Sequence, residues 1–383
     1  MEKRIYLLME VKKRELDSRC YFAIKSCIKN YSVVLSKKDS FYKNRKLFKK
    51  GFVFFKSLGK NYFNEIKKTK ALGYKICAQD EEGLQIFDKE DYLDRRLHYD
   101  NLYFLDYIFT WGARDHDMLN DLPENIKNKI YITGSPRIDI LKKPVNSIYS
   151  QKANEIKKKH GSFFLLNTYF TFSNHFFDKD ESKRSLTLEA EGSSNKSLIY
   201  KRGLQMSELQ RNTMKKTLEF IESFSNKFPK EKLIIRPHPS ENHKIWFETA
   251  KKFKNIECIY DDQSTCSWMI ASKFSISSNC TTSIESFLLG KFNYNFRPII
   301  DKKVEFDLPK ICGINIDTVE SLLNKVELFK GENSDERVFN LERDTKMKSL
   351  KNYIENIEKK QCSVENMISF LLKDIKKDID PNK

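Results

Sequence analysis

No two cysteines in this sequence stand in C-x-x-C spacing, and no cysteine–histidine pair has the separation of a zinc site. The eight cysteines (Cys20, Cys27, Cys77, Cys258, Cys266, Cys280, Cys312 and Cys362) are scattered, which in a chain of 383 residues fits reduced thiols in a cytoplasm. Long apolar runs are missing too: none approaches the ~20 residues that cross a bilayer. The opening segment Arg4-Ile5-Tyr6-Leu7-Leu8-Met9-Glu10 is too short and strand-like for a signal peptide. A cytoplasmic protein is expected, soluble or held peripherally at the inner face of the inner membrane. No second acidic cluster accompanies the triplet at Asp80, so no metal is expected. With no RNA-binding signature and no basic–aromatic strand pair, nucleic acid is not an expected partner. No repeat of fixed period occurs.

Acid is in short supply. Asp and Glu number 53 against 70 Lys and Arg, a formal charge of +17. Such an excess suits an anionic partner: a nucleotide, an acidic glycan, anionic lipid head groups or nucleic acid. A Lys-rich compositional bias is the competing explanation. Hydrophobic residues make up 39% of the chain, enough to build packed cores, and the length favours two domains.

What is present is an alternation of strand and helix. Ile5–Met9, Tyr31–Leu35, Gly51–Phe55, Tyr74–Ala78, Tyr107–Trp111 and Ile130–Thr133 read as strands. The intervening helices include 18–30, with Phe22, Ile24 and Ile28 as its apolar positions, and 62–72. A second series runs through 162–168, 232–235, 256–260 and 273–276. This βα alternation predicts an α/β fold of two doubly wound, Rossmann-like domains with a cleft between them. The expected boundaries are 1–145, a linker over 146–161, 162–335, and a helical C-terminal tail over 336–383. The polar stretch 178–201 lacks periodicity and is expected to be an insertion.

Chemistry concentrates at predicted strand ends. Arg236-Pro237-His238-Pro239 ends one apolar run and offers a cation and an imidazole between two rigidifying prolines. Ser277, Ser278, Thr281, Thr282 and Ser283 end another and precede a helix. One helix cap needs one hydroxyl, so the surplus points to anion contact, with Glu285 placed to bond a ribose or to favour the helix dipole. Together Arg236, His238, Pro239 and the hydroxyl row suit the phosphate of a nucleotide, where the imidazole can donate a hydrogen bond or a proton. Asp80-Glu81-Glu82-Gly83 ends a strand of the first domain. Adjacent carboxylates repel, which raises a pKa and suits a general base, although a solvated acidic turn has the same composition. Gly134, Ser135, Arg137, Asn167, Thr168 and His175 are further candidates to line the cleft.

The order of three motifs resembles bacterial GT-B sialyltransferases and polysialyltransferases, which carry an acidic-acidic-Gly motif, an HP motif and a Ser motif. Here Glu81-Glu82-Gly83, His238-Pro239 and Ser277-Ser278 follow in that order. Over more of its length the chain is similar to surface carbohydrate biosynthesis proteins of bacterial polysaccharide loci. That similarity rests on Arg14-Glu15-Leu16-Asp17, Asp80-Glu81-Glu82-Gly83-Leu84, Thr133-Gly134-Ser135-Pro136-Arg137-Ile138-Asp139, Arg236-Pro237-His238-Pro239 and Ser277-Ser278-Asn279. The resemblance implies a GT-B fold and an inverting, metal-independent, cofactor-free glycosyl transfer. The donor would be a CMP-activated ulosonic acid, sialic acid-like or Kdo-like, and the acceptor a glycan, free or lipid-linked. Glu81 or Glu82 would be the base, His238 a phosphate ligand or acid, and the serines phosphate ligands; Asp80 adds a third candidate base. Two alternatives share the fold: a CDP-alditol phosphotransferase of teichoic-acid type, and a sugar-nucleotide 2-epimerase-like enzyme.

Overall fold

Short apolar runs buried on both faces are the material of parallel sheets, and the chain builds two of them. A computed structural model describes residues 3–176, 196–329, 334–358 and 362–379. The chain divides into two compact units, one formed by Met1–Lys142 with Met347–Lys383, the other by Lys143–Lys346. The expected pair of doubly wound α/β sheets is present.

The first unit carries β1 (Arg4–Met9), β2 (Ser32–Lys37), β3 (Phe52–Phe55), β4 (Lys75–Gln79), β5 (Tyr107–Thr110) and β6 (Ile130–Ile132). All pair in parallel, in the order β2-β1-β3-β4-β5-β6. Strand order therefore reverses between β1 and β3, the topological switch point where open α/β sheets bind ligands. One face is sealed by Tyr6, Val53, Phe55, Ile76 and Ile108. The other packs Ile5, Leu7, Phe54 and Phe109 against Val364, Met367, Ile368 and Leu371 of the C-terminal helix Ser363–Ile379. The end of the chain is thus part of this unit's core. Asp139 anchors it, accepting hydrogen bonds from Ser363 N (2.8 Å), Ser363 Oγ (2.6 Å) and Asn356 Nδ2 (2.8 Å).

The second unit carries β7 (Phe164–Asn167), β8 (Leu233–Arg236), β9 (Ile256–Cys258), β10 (Ser275–Ser277), β11 (Asn293–Phe296) and β12 (Ile314–Ile316). Its order, β12-β11-β10-β7-β8-β9, is the doubly wound dinucleotide-fold order, with the switch point between β7 and β10.

Three expectations need correction. The first helix runs over Lys12–Ile28, and of its three expected apolar positions Phe22 is buried while Ile24 and Ile28 are 61% and 66% exposed. Its buried face is Glu15, Ser18, Arg19, Phe22 and Ser26, which keeps helical spacing but is mostly polar. Ser18 Oγ and Ser26 Oγ donate to the carbonyls of Glu15 and Phe22, and Arg19 pairs with Glu81. The expected insertion lies outside the described residues up to 195, and its last residues belong to the long helix Lys196–Lys227. Finally, β11 and β12 had no counterpart in the sequence reading.

Candidate functional site

In the second unit, the carboxyl ends of β7, β8 and β10 bring the sequence candidates to one edge. The loop after β8 is built around Glu241, which sequence reasoning missed. Glu241 is 1% exposed and accepts from Thr168 Oγ1 (2.8 Å), Phe170 N (2.9 Å), Trp246 Nε1 (2.7 Å) and Asn174 Nδ2 (3.5 Å). Burial pushes its carboxyl upward, against the pull of these donors. This one side chain ties the loop after β7 to the loop after β8. His175 joins by a bridge to Glu241, and Phe176 N donates to Ser240 O.

His238 is fixed within that frame. Its N–H reaches Thr168 Oγ1 (3.3 Å), and its carbonyl accepts from Glu241 N (3.0 Å) and lies 2.9 Å from His243 Nε2. The Tyr169 ring stands edge-on to the imidazole, centroids 5.4 Å apart. Most informative is the contact of Ser240 N with His238 Nδ1 at 3.2 Å. A backbone N–H can only donate, so Nδ1 accepts and the neutral ring carries its proton on Nε2. Pro239, next along, is exposed. Asn167, at the end of β7, is 5% exposed and its Nδ2 has no hydrogen-bond partner.

At the switch point itself a pocket opens beside Tyr169, Phe170, Ser278, Asn279, Phe296 and Arg297. Met206 and Leu209 of the long helix add apolar wall. Arg297 is held by a paired contact to Glu305, Nε–Oε1 2.6 Å and Nη2–Oε2 2.7 Å. Asn279 adopts φ 48° and accepts from Phe306 N (3.1 Å) through its side chain.

Not every expected ligand faces this edge. Arg236 is consumed by structure: its guanidinium donates to Asp261 Oδ1 (2.7 Å) and Gln263 O (3.1 Å) and stacks over Trp268 at 4.7 Å. Ser277 and Ser283 are fully buried and both bond Asn293 Oδ1 (2.9 and 2.6 Å), so they join strand to helix. Thr282 Oγ1 pairs with Cys280 Sγ. Ser278 lines the pocket, while Thr281 and Glu285 sit half-buried where the helix Thr282–Leu288 begins.

The first unit gathers charge at the corresponding edge of its sheet. Asp80, 3% exposed, accepts from Arg96 Nε (2.9 Å) and Arg96 Nη2. Glu81 pairs with Arg19; Glu82 lies 3.3 Å from Arg14 and 3.6 Å from Arg96. The expected mutual repulsion is therefore overridden. Burial works to raise Glu82, but Arg96, Arg14, Arg137 and Lys56 outweigh it and hold its carboxyl below the usual range. Further along the edge, burial likewise opposes ionisation of Glu10, yet Lys38 and Lys56 bring it to about 2. Gly134, Ser135 and Arg137 do join the 80–83 loop: Gln79 Nε2 donates to Gly134 O (2.7 Å) and Arg137 Nη1 to Glu81 O (3.0 Å). Ser135 caps the short helix Pro136–Asp139. Arg19, Arg96 and Arg114, the last bonded to Gly83 O at 2.6 Å, escaped sequence reasoning because their partners lie far along the chain.

Among the described residues no cluster of three His, Cys, Asp or Glu is arranged to hold a metal, and no helix is long and apolar enough to cross a membrane. No protein-family model and no curated protein matches the chain. Solved structures do. The wall teichoic acid polymerase TagF, soaked with CDPG, is 12% identical with a TM-score of 0.58, covering 99% of this chain and 90% of that one. MnaA of S. aureus with UDP is 14% identical, TM-score 0.59, covering 98% and 97%. The UDP-GlcNAc 2-epimerase of Neisseria meningitidis bound to UDP-GlcNAc is 13% identical, TM-score 0.56, covering 97% and 100%. At these identities the likeness establishes the GT-B-like, two-sheet fold.

Proposed function

We propose that this protein is an enzyme of bacterial surface-polysaccharide biosynthesis acting on a nucleotide-activated sugar or alditol, with the nucleotide phosphates against His238, on the loop after β8 beside the β7–β10 switch point. The carrying observation is the imidazole's orientation. With Nδ1 accepting from Ser240 N, the neutral ring's proton sits on Nε2, the nitrogen that would donate to phosphate oxygens as charge builds on the leaving group. Ser278 and the pocket beside Tyr169 take the rest of the nucleotide. No cofactor is invoked.

Of the chemistries the fold permits, those on a nucleoside-diphosphate-activated substrate are favoured, CDP-alditol phosphotransfer of teichoic-acid type first and UDP-sugar 2-epimerisation second. Two observations support this order over transfer from a CMP-ulosonic acid. Among the structures that share the fold are ones carrying CDPG, UDP and UDP-GlcNAc. Glu82 is held below the ordinary carboxylate range, and each acidic side chain of the 80–82 loop is paired with arginine, which makes that loop a poor general base. The acceptor is a glycan or polyol chain.

Calorimetric titration with CMP, CDP, UDP and GDP tests the reading. A diphosphate should bind, and His238→Ala should weaken it at least tenfold and lower turnover by roughly 10²–10⁴ with melting unchanged. CMP leaves in both alditol-phosphate transfer and CMP-sugar transfer, so release of CMP from a CMP-ulosonic acid but not from CDP-glycerol would restore the CMP-sugar donor. No nucleotide binding, or a fully active His238→Ala, would refute the site.

A further inference from the structure

We infer that the first unit holds a second anion subsite, at its own β1–β3 switch point, which takes a small phosphate or carboxylate group borne by the acceptor substrate. The inference deepens the proposed function by naming the acceptor's chemistry, but the subsite stands on different residues in a different sheet.

Three observations converge there. A pocket opens at the carboxyl edge of the sheet, walled by Ser18, Arg19, Gln79, Glu81, Ser135 and Arg137. Arg19 is only 6% exposed; it pairs with Glu81, yet its Nε has no hydrogen-bond partner. A buried guanidinium N–H left unmatched is costly unless a ligand completes it. Charge supplies the third observation. Arg14, Arg19, Arg96 and Arg137 surround the carboxylates of Asp80, Glu81 and Glu82, so guanidinium exceeds carboxylate by one. The site is net positive even with every carboxylate ionised.

Its groups are also held in place. Arg137 is braced on Glu81 O (3.0 Å), and Gln79 Nε2 on Gly134 O (2.7 Å). Phe22 and Phe54 contribute to the same pocket and exclude water from one side. A buried guanidinium with an unmatched Nε–H, beside a second guanidinium and an apolar floor, suits an anionic oxygen of a carboxylate or phosphate better than a neutral sugar. Glu81 does not forbid the anion, because Arg19 neutralises it and retains Nε for the incoming group.

The test titrates the full chain, saturated with whichever nucleotide binds, with glycerol 3-phosphate, glucuronate and glycerol. One of the two anions should bind and glycerol should not; which anion binds assigns phosphate or carboxylate. Arg19→Lys, which keeps charge but loses Nε, and Arg137→Gln should each weaken that anion roughly tenfold or more while nucleotide affinity changes less than twofold. If neither anion binds the wild-type chain, the subsite is refuted, and no variant is needed to reach that result. Displacement of the anion by nucleotide, or binding untouched by both substitutions, would refute it as well. Should no nucleotide bind, the titration is run on the chain alone. Anion binding that survives His238→Ala separates the fate of this subsite from that of the nucleotide site.

Discussion

Replacing Arg96 with leucine asks what the arginine collar of the 80–82 loop is for. Asp80 is 3% exposed and has two strong donors, both from Arg96, besides a longer contact from Glu82 N at 3.3 Å. Removing the guanidinium leaves a buried carboxylate nearly alone. Breaking a buried pair in this way costs about 3–5 kcal/mol, far more than the pair itself contributes over an uncharged replacement. The loss also spreads locally, since Asp80 O accepts from Trp111 Nε1 (2.6 Å) and Gly83 N (3.1 Å). Adding Asp80→Asn removes the stranded charge and keeps an acceptor for Glu82 N, so the double variant should recover most of the deficit. Hydrogen–deuterium exchange is the apt assay because it reads each unit separately. Peptides spanning β4 and β5 should lose roughly two to four powers of ten in protection in Arg96→Leu. Peptides over β8 in the other unit should not change and serve as the internal control. A loss under about 1 kcal/mol in the single variant, or a double variant no better than the single, would refute the reasoning.

Three further substitutions probe the same unit. Burial raises the Asp115 carboxyl from 3.8 to about 7, with Arg114 and the N–H of Trp111 opposing. Folded, it therefore holds a proton that the unfolded chain releases, so its contribution is full below about pH 4 and lost as pH rises to about 7. Asp115→Asn should flatten the fall in the unit's stability between pH 4.5 and 7; equal slopes in wild type and variant, measured as urea midpoints, would contradict this. Gly73 and Gly134 have similar φ, 86° and 80°, but a Cβ at Gly73 meets nothing within 4 Å while one at Gly134 falls 2.0 Å from Asn356 Oδ1. Gly73→Ala should cost about 1–2 kcal/mol from backbone conformation alone. Gly134→Ala should cost more and displace Asn356 from Asp139, visible as a clearly larger drop in melting temperature.

The sheets were legible because their central strands are buried on both faces and so read as unbroken apolar runs, as in Phe52–Phe55 and Leu233–Ile235. Where the interior is polar, the pattern disappears. Asn293-Tyr294-Asn295-Phe296 is a fully buried strand, yet its two amides answer Ser275, Ser277, Ser283, Asn279 N and Asn315. Half of it is hydrophilic, so composition hid it. The first helix misled for the same reason: Ser18, Arg19 and Ser26 face inward and Ile24 and Ile28 outward, the inverse of what hydrophobicity predicts.

The site divides along a different line. Its location follows from topology, since strand-end loops in a parallel sheet come together whatever their composition. That is why His238, Thr168, Asn167 and Ser278 meet at one edge, and Glu81, Ser135 and Arg137 at another. Availability does not follow, because a side chain's freedom depends on partners that sequence spacing does not reveal. Arg236 stands beside His238 in the chain, yet Asp261, Gln263 and Trp268 claim it. The acidic triplet resembles a repelling cluster only until Arg19, 62 positions away, and Arg96, 16 positions away, are brought in. The same logic turns an apparent defect into a signal. Several buried polar atoms have no hydrogen-bond partner, Thr110 Oγ1 and Arg114 Nε among them, and two others, Nε of Arg19 and Nδ2 of Asn167, belong to residues of the candidate sites. Both residues stand at the carboxyl end of their respective sheets, next to the switch point where open α/β sheets bind ligands.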